Sequence, residues 1–182
     1  MAKLPLVSKE DLAPEHRHIA ERIEGTRGRL LNLFGTLLHS PELTEVVANL
    51  GEYLRYKSSL NPAAREIAIL TVAQEKGCGY EWSHHAPEAR RAGVSEEVLE
   101  AIRTGRAPMG IPAKDGVYAQ AAKELMRNGS LSDRTFQAVE HLLGPGATAD
   151  LIVVVGYYTT MSMLINTLNI ELDEGATPAS FD

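Results

Sequence analysis

Between Cys78 and Arg91 the chain reads CGYEWSHHAPEARR. This short segment holds the only cysteine, the only tryptophan, a tyrosine and two adjacent histidines, together with Glu81. On a helix, Glu81 lies three residues after Cys78, three before His84 and four before His85, spacings that line these groups along one face. Cys78 would stand at the helix N-terminus, where backbone N–H groups and the helix dipole favour a thiolate. A carboxylate and imidazoles beside it can pass protons near neutral pH. Glu66, on the preceding helix, adds a second carboxylate. The bland reading stands next to this one. A lone cysteine is usually a small core residue, Trp82 suits a core, and His16, His18, His39 and His141 read as ordinary surface histidines.

The same segment admits a metal reading. Glu81 and His84 form a Glu-x-x-His pair, half of a di-iron carboxylate site, and Glu15 with His18 forms another, with Glu66 as a bridging ligand. Glu15, however, opens a helix beside an irregular arm, and such short pairs arise by chance. No metal and no cofactor are therefore assigned.

The elements that must position these residues read as helical throughout. Residues 1–14 form an irregular arm, and a helix runs from Pro14 to about Leu38, frayed near Gly25 and Gly28. Ser40 caps a helix that starts at Pro41 and reaches Leu54 or a little beyond. Asn61 caps the next, with Pro62 in its first position and Gly77 at its end. Its run of apolar residues from Ile67 to Ala73 predicts burial on more than one side. The CGYEWSHHAPEARR helix follows, stopped by Gly93 and strained by Pro87. Ser95 caps a helix to about Gly105, and RAPMGIPAKDG is a loop. Helices then cover Val117 to Arg127, Ser132 to Leu143 and, beyond GPG with Thr148 as cap, Ala149 to about Leu168. No segment has the pattern of a strand. The expectation is an all-α protein, with an arm and first helix over 1–40, a helical domain over 41–170 and a flexible tail over 171–182. One weak internal echo links REIAIL…GYEWSHH to DRTFQAVEHLL…GYYTTMS, a helix, a break and then Gly-Tyr.

Composition narrows the function classes. The 182 residues carry 24 acidic and 18 basic side chains, a net charge of -6, with no cluster of lysine and arginine. That disfavours nucleic acid and polybasic membrane partners. One cysteine forbids an internal disulfide. The N-terminal residues lack the apolar core of a signal peptide, and LIVVVG from Leu151 is too short to span a bilayer. A cytoplasmic location and no membrane partner are the expectation.

Glu66, eleven intervening residues, Cys78, then Tyr80-Glu81-Trp82 and His85, with ARRAGVSEEVLEAIR behind, resembles the carboxymuconolactone decarboxylase / AhpD-like family. The resemblance implies an AhpD-like helical domain assembled into trimers or hexamers through helix packing. AhpD-like alkylhydroperoxidases pair two cysteines in this motif; here Glu66, Cys78 and His85 match, but the second cysteine position is Glu81. An internal disulfide cycle of the peroxidase type is thereby closed off, since no second thiol can resolve a sulfenic acid. What remains implied is the decarboxylase-like branch of aromatic-compound catabolism. Its reaction is cofactor-free general acid/base chemistry on a small carboxylated lactone or related carbonyl compound. In that reading His85 donates the proton, Glu66 orients it, Glu81 is a second acid/base, Tyr80 hydrogen-bonds the lactone carbonyl, and Cys78, Trp82 and His84 line the pocket. Arg65, Arg90 and Arg91 are candidates to hold the substrate anion. The alternatives are a one-cysteine peroxidase built on Cys78 that uses an external thiol, and a non-catalytic oligomer that binds a small ligand.

Overall fold

The computed structural model describes residues 2–105, 111–179 and 181. It is all-helical, with 71% helix and no strand among the described residues. The chain divides into two compact units, residues 1–57 with 165–175, and residues 58–164 with 176–182.

The first unit begins with a 3-10 turn, Pro14–His16, and continues into α1 (Arg17–Arg27). The single helix expected from Pro14 to Leu38 is broken. Gly28 ends α1 in the left-handed conformation (φ 79), which a glycine adopts without steric cost. A short α2 (Asn32–Leu37) follows, then α3 (Pro41–Tyr56). Ser40 stands at the N-cap position of α3 as expected, but its side chain makes no capping hydrogen bond. Ile19, Ile23, Leu33, Phe34, Leu37 and Leu54 fill this unit's core. The outer side of α3 leaves Leu43, Val46, Leu50 and Tyr53 exposed at spacings of three and four, a continuous apolar stripe.

The second unit is organised around α4 (Pro62–Glu75). The Asn61 side chain accepts hydrogen bonds from the Ala63 and Ala64 amides, and Pro62 supplies a preset first turn. Ile67, Ala68, Ile69, Leu70, Val72 and Ala73 are wholly buried, as this run, broken only by the buried Thr71, requires. Each larger aliphatic among them contributes about 1.5–3 kcal/mol of burial. Packed on α4 are α5 (Gly79–Arg91), α6 (Glu96–Arg103) and α7 (Ala113–Asn128). Pro87 is accommodated inside α5 without ending it. Ser95 caps α6 by accepting from the Val98 amide, and Val98, Leu99 and Ile102 form its buried face.

Helix α7 starts four residues before the expected Val117, because Pro112 takes the N-cap position. Of the expected loop, residues 106–110 lie outside the described residues. The segment α8 (Asp133–Leu168) is, as expected, two helices; they meet at Gly144, whose φ 75 and ψ 168 are non-helical. The second helix begins directly after Gly144, so Thr148 is not its cap. It lies one turn inside, and its hydroxyl donates to the Gly144 carbonyl at 2.8 Å. Beyond the kink α8 is apolar enough over 18 residues to meet the length and composition of a membrane span, and 39% of that stretch is buried.

The backbone at Gly144 occupies a region open almost only to glycine. Gly144→Ala is expected to destabilise the protein by about 1–3 kcal/mol, read as a lower urea midpoint with an unchanged slope.

Candidate active site

The site is built where α4, α5 and the apolar half of α8 supply side chains within the second unit. Glu66 belongs to the buried face of α4 and is 1% exposed. An ionised carboxylate in such a position is costly unless both oxygens are satisfied. Both are. Arg65 Nε donates to Oε1 at 3.0 Å, and His85 Nδ1 donates to Oε2 at 2.7 Å. Burial pushes the Glu66 carboxyl up, but the charge and hydrogen bond of His85, reinforced by Arg65, outweigh it and hold the group below the ordinary glutamate range.

That bond fixes the imidazole. An ionised carboxylate can only accept, so the proton between Glu66 and His85 sits on Nδ1. Nε2 is then the nitrogen that faces the rest of the site. It lies 3.5 Å from Glu81 Oε2, one turn back along α5. His85 is thus held between two buried carboxylates, and a second proton on it would bring Arg65, Glu66, Glu81 and His85 to zero net charge. The arrangement suits proton transfer at Nε2, with Glu66 setting tautomer and orientation.

Cys78 occupies the N-cap position of α5 and is fully buried. Its surroundings work against a resting thiolate. Burial pushes the thiol up to about 11, and the Glu81 carboxylate adds to this, while the Glu81 and Tyr80 amides and the Ser162 hydroxyl pull the other way without compensating. Ser162 Oγ is itself buried and, despite lying beside the thiol, makes no hydrogen bond of normal geometry.

The remaining expected residues are placed as follows. Tyr80 is buried and packs its ring against His84, with centroids 4.6 Å apart. Trp82 is buried and meets the ring of Phe181 edge-on at 5.4 Å. Of the three arginines, Arg65 alone joins the cluster; Arg90 pairs with Glu96 and Arg91 with Glu88 on the exposed side of α5. The metal pairs are not assembled: Glu81 turns to His85, His84 to Tyr80, and among the described residues no group of three is arranged to hold a metal ion. Two residues were missed. Tyr158, buried on α8, sets its ring perpendicular to His85 at 4.9 Å, and Ser162 stands one turn further on. The GYYTTMS echo marked this stretch as a helix but carried no sign of what Tyr158 touches.

No curated protein sequence matches the chain at a significant level. Residues 41–124 match the model of the Carboxymuconolactone decarboxylase family, a span that includes Glu66, Cys78, Tyr80, Glu81, Trp82, His84 and His85 but not Tyr158 or Ser162. Among solved structures the chain is similar to a peroxidase-related protein with the alkylhydroperoxidase AhpD core from Ralstonia eutropha JMP134, at 17% identity over 98% of both chains with a TM-score of 0.80. A peroxidase-related protein from Silicibacter sp. TM1040 matches at 15% identity over 96% of this chain and 93% of that one, with a TM-score of 0.76. The debrominase Bmp8 matches at 17% identity over 93% and 91%, with a TM-score of 0.63; a cysteine-to-alanine variant of it has been solved in complex with 2,3,4-tribromopyrrole. At these identities the shared property is the AhpD-like helical fold.

The lowered Glu66 carboxyl fixes the sign of a pH dependence. A group depressed on folding contributes stability that is present above its unfolded value, about 4.3, and is lost as pH falls through its folded value. Glu66→Gln should cost about 2 kcal/mol or more at pH 7. Urea unfolding measured from pH 7 down to pH 3 should show the gap between the two proteins narrowing with acid. A gap that stays constant would mean that Glu66 is not ionised in the folded protein.

Proposed function

We propose that this protein, of which residues 41–124 match the model of the Carboxymuconolactone decarboxylase family, is a cofactor-free acid/base enzyme. Its substrate in this reading is a small carboxylated lactone or related carbonyl compound, decarboxylated or isomerised. The observation that carries the reading is His85, its Nδ1 anchored on Glu66 at 2.7 Å and its Nε2 turned toward Glu81.

For a β,γ-unsaturated lactone acid, the bond between the ring carbon and the carboxylate breaks and carbon dioxide leaves. The electron pair passes into the ring as a dienolate. His85 Nε2 delivers a proton to carbon, and Glu81, the nearest carboxyl to that nitrogen, relays a replacement from solvent. Glu66 holds Nδ1 throughout and balances the charge. Tyr80 supplies a hydrogen bond to the lactone carbonyl, while Trp82 and His84 shape the pocket. Isomerisation needs the same groups, with a proton removed from one carbon and returned to another.

A second reading rests on sulfur. The amides of Tyr80 and Glu81 and the hydroxyl of Ser162 converge on Cys78, an arrangement suited to a sulfur anion once it forms. The thiolate would take one oxygen from a hydroperoxide, releasing the alcohol, and two equivalents of an external thiol would return the sulfenic acid to thiol, with water and the disulfide of the external thiol as products. Against this stands the thiol raised to about 11. The two readings part cleanly in mutants. His85→Ala should lower turnover of a lactone acid at least about a hundredfold, with Cys78→Ser close to native. Loss of a thiol-dependent peroxidase activity in Cys78→Ser, with no lactone turnover, would reverse the assignment, and binding without turnover would leave a ligand-binding protein.

Self-association as a trimer or hexamer belongs to the same proposal. It is supported by the apolar side of α8, where Ile152, Val153 and Met163 are exposed. Apolar patches of this kind mark association surfaces. Light scattering at micromolar concentration should give an oligomer for the native chain and a smaller species for Val153→Glu/Met163→Glu; a native monomer would overturn it.

A further inference from the structure

The outer side of α3 carries its side chains in an order that complements itself. From Glu42 to Lys57, only these two end residues are both exposed and charged. Leu43 and Val46, both aliphatic, hold the N-terminal half of the apolar stripe between them. Tyr53 and Tyr56, both aromatic, hold the C-terminal half, and Leu50 lies in the middle. The opposite side of the helix, Thr44, Ala48, Gly51 and Leu54, is buried.

We propose that this stripe is a twofold interface on which a second copy of the chain lies antiparallel, with the axis beside Leu50. Antiparallel pairing brings Glu42 to Lys57 of the partner subunit, once at each end. It sets Leu43 against Tyr56 of the partner subunit and Val46 against Tyr53 of the partner subunit, aliphatic against aromatic. Leu50 meets Leu50 of the partner subunit at the axis. Parallel pairing would instead place like charges together at both ends. A twofold contact requires a patch to complement itself. A different protein would need the apolar stripe but not this order along it.

The end charges turn to a partner at little cost. Lys57 Nζ meets Glu52 of its own helix at 2.6 Å, yet Glu52 keeps Arg22 at 3.2 Å when Lys57 swings outward. Glu42 has His16 Nε2 only at 3.7 Å, beyond hydrogen-bond length, and its side chain is 75% exposed. With 16 residues, α3 is about 24 Å long. A contact of that length is smaller than a standard interface, which sets its Kd at about the micromolar level. A pairwise contact added to a trimeric one through α8 gives a hexamer rather than a trimer. That count rests on the α8 proposal, whereas the α3 pairing stands by itself.

Sedimentation at about 100 µM separates the two surfaces. Val153→Glu/Met163→Glu should be a dimer, and adding Val46→Glu should make it a monomer. Val46 is 66% exposed in a single copy, so its replacement should leave the melting temperature near native. A monomer before Val46→Glu is added overturns the α3 pairing and leaves the α8 surface standing. A native dimer unchanged by Val153→Glu/Met163→Glu does the reverse. Glu42→Lys and Lys57→Glu should each weaken the dimer at least about fivefold, because each charge counts twice, and the double variant should recover. A double variant no tighter than either single one overturns the charge pairing. Leu50→Cys supplies an exposed thiol at the axis, while Cys78 is buried. Under mild oxidation it should form a covalent dimer at least about tenfold faster than Leu43→Cys, whose two copies lie about 20 Å apart in this register. Equal rates overturn the antiparallel arrangement.

Discussion

A carboxylate buried on the central helix of its unit constrains everything around it. Glu66 interrupts a face of α4 that is otherwise aliphatic, and its charge cannot stay there without partners on both oxygens. Arg65 comes from the neighbouring position of the same helix, at a cost only of turning its guanidinium inward. The second partner must come from another element, and His85 of α5 provides it. That requirement fixes how α5 is rotated against α4, and with it which of its residues face inward. Glu81 is brought below the imidazole and Cys78 to the buried start of the helix, while Arg90 and Arg91 are sent to solvent.

The same constraint divides the chemistry between sulfur and nitrogen. A thiol at a helix N-terminus is normally helped toward its anion by the amides it meets. Here those amides are present, yet the thiol is held at about 11, because it is desolvated and a carboxylate stands one turn away. That carboxylate, Glu81, also stands 3.5 Å from His85 Nε2, within reach of a proton exchanged there. One residue thus opposes an anionic nucleophile on one side and faces the imidazole on the other. This is why the Glu66–His85–Glu81 line, rather than Cys78, is the centre of the proposed reaction.

Helix α8 closes the arrangement from a distance of more than seventy residues along the chain. Tyr158 meets the imidazole and Ser162 meets the sulfur, four positions apart and so on one face. The opposite side of this helix exposes Ile152, Val153 and Met163. The apolar half of α8 is thus used on two sides, one lining the site and one presenting aliphatic surface outward.

What the sequence determined by itself was local. Asn61-Pro62, Ser95 and Gly93 announced helix ends because capping and left-handed backbone are properties of single residues and their neighbours. The helical spacing put Cys78, Glu81 and His85 on one face, and the motif from Glu66 to His85 pointed to the AhpD-like fold that the structure has. The fraying expected at Gly28 is a full helix end, since whether the chain continues as helix past a glycine depends also on what the flanking segments pack against. Only tertiary structure decided which nitrogen of His85 Glu66 would take, that Tyr158 would wall the site and that Cys78 would be buried beside a carboxylate. Burial and through-space charge set these outcomes, and both depend on residues far apart in the chain.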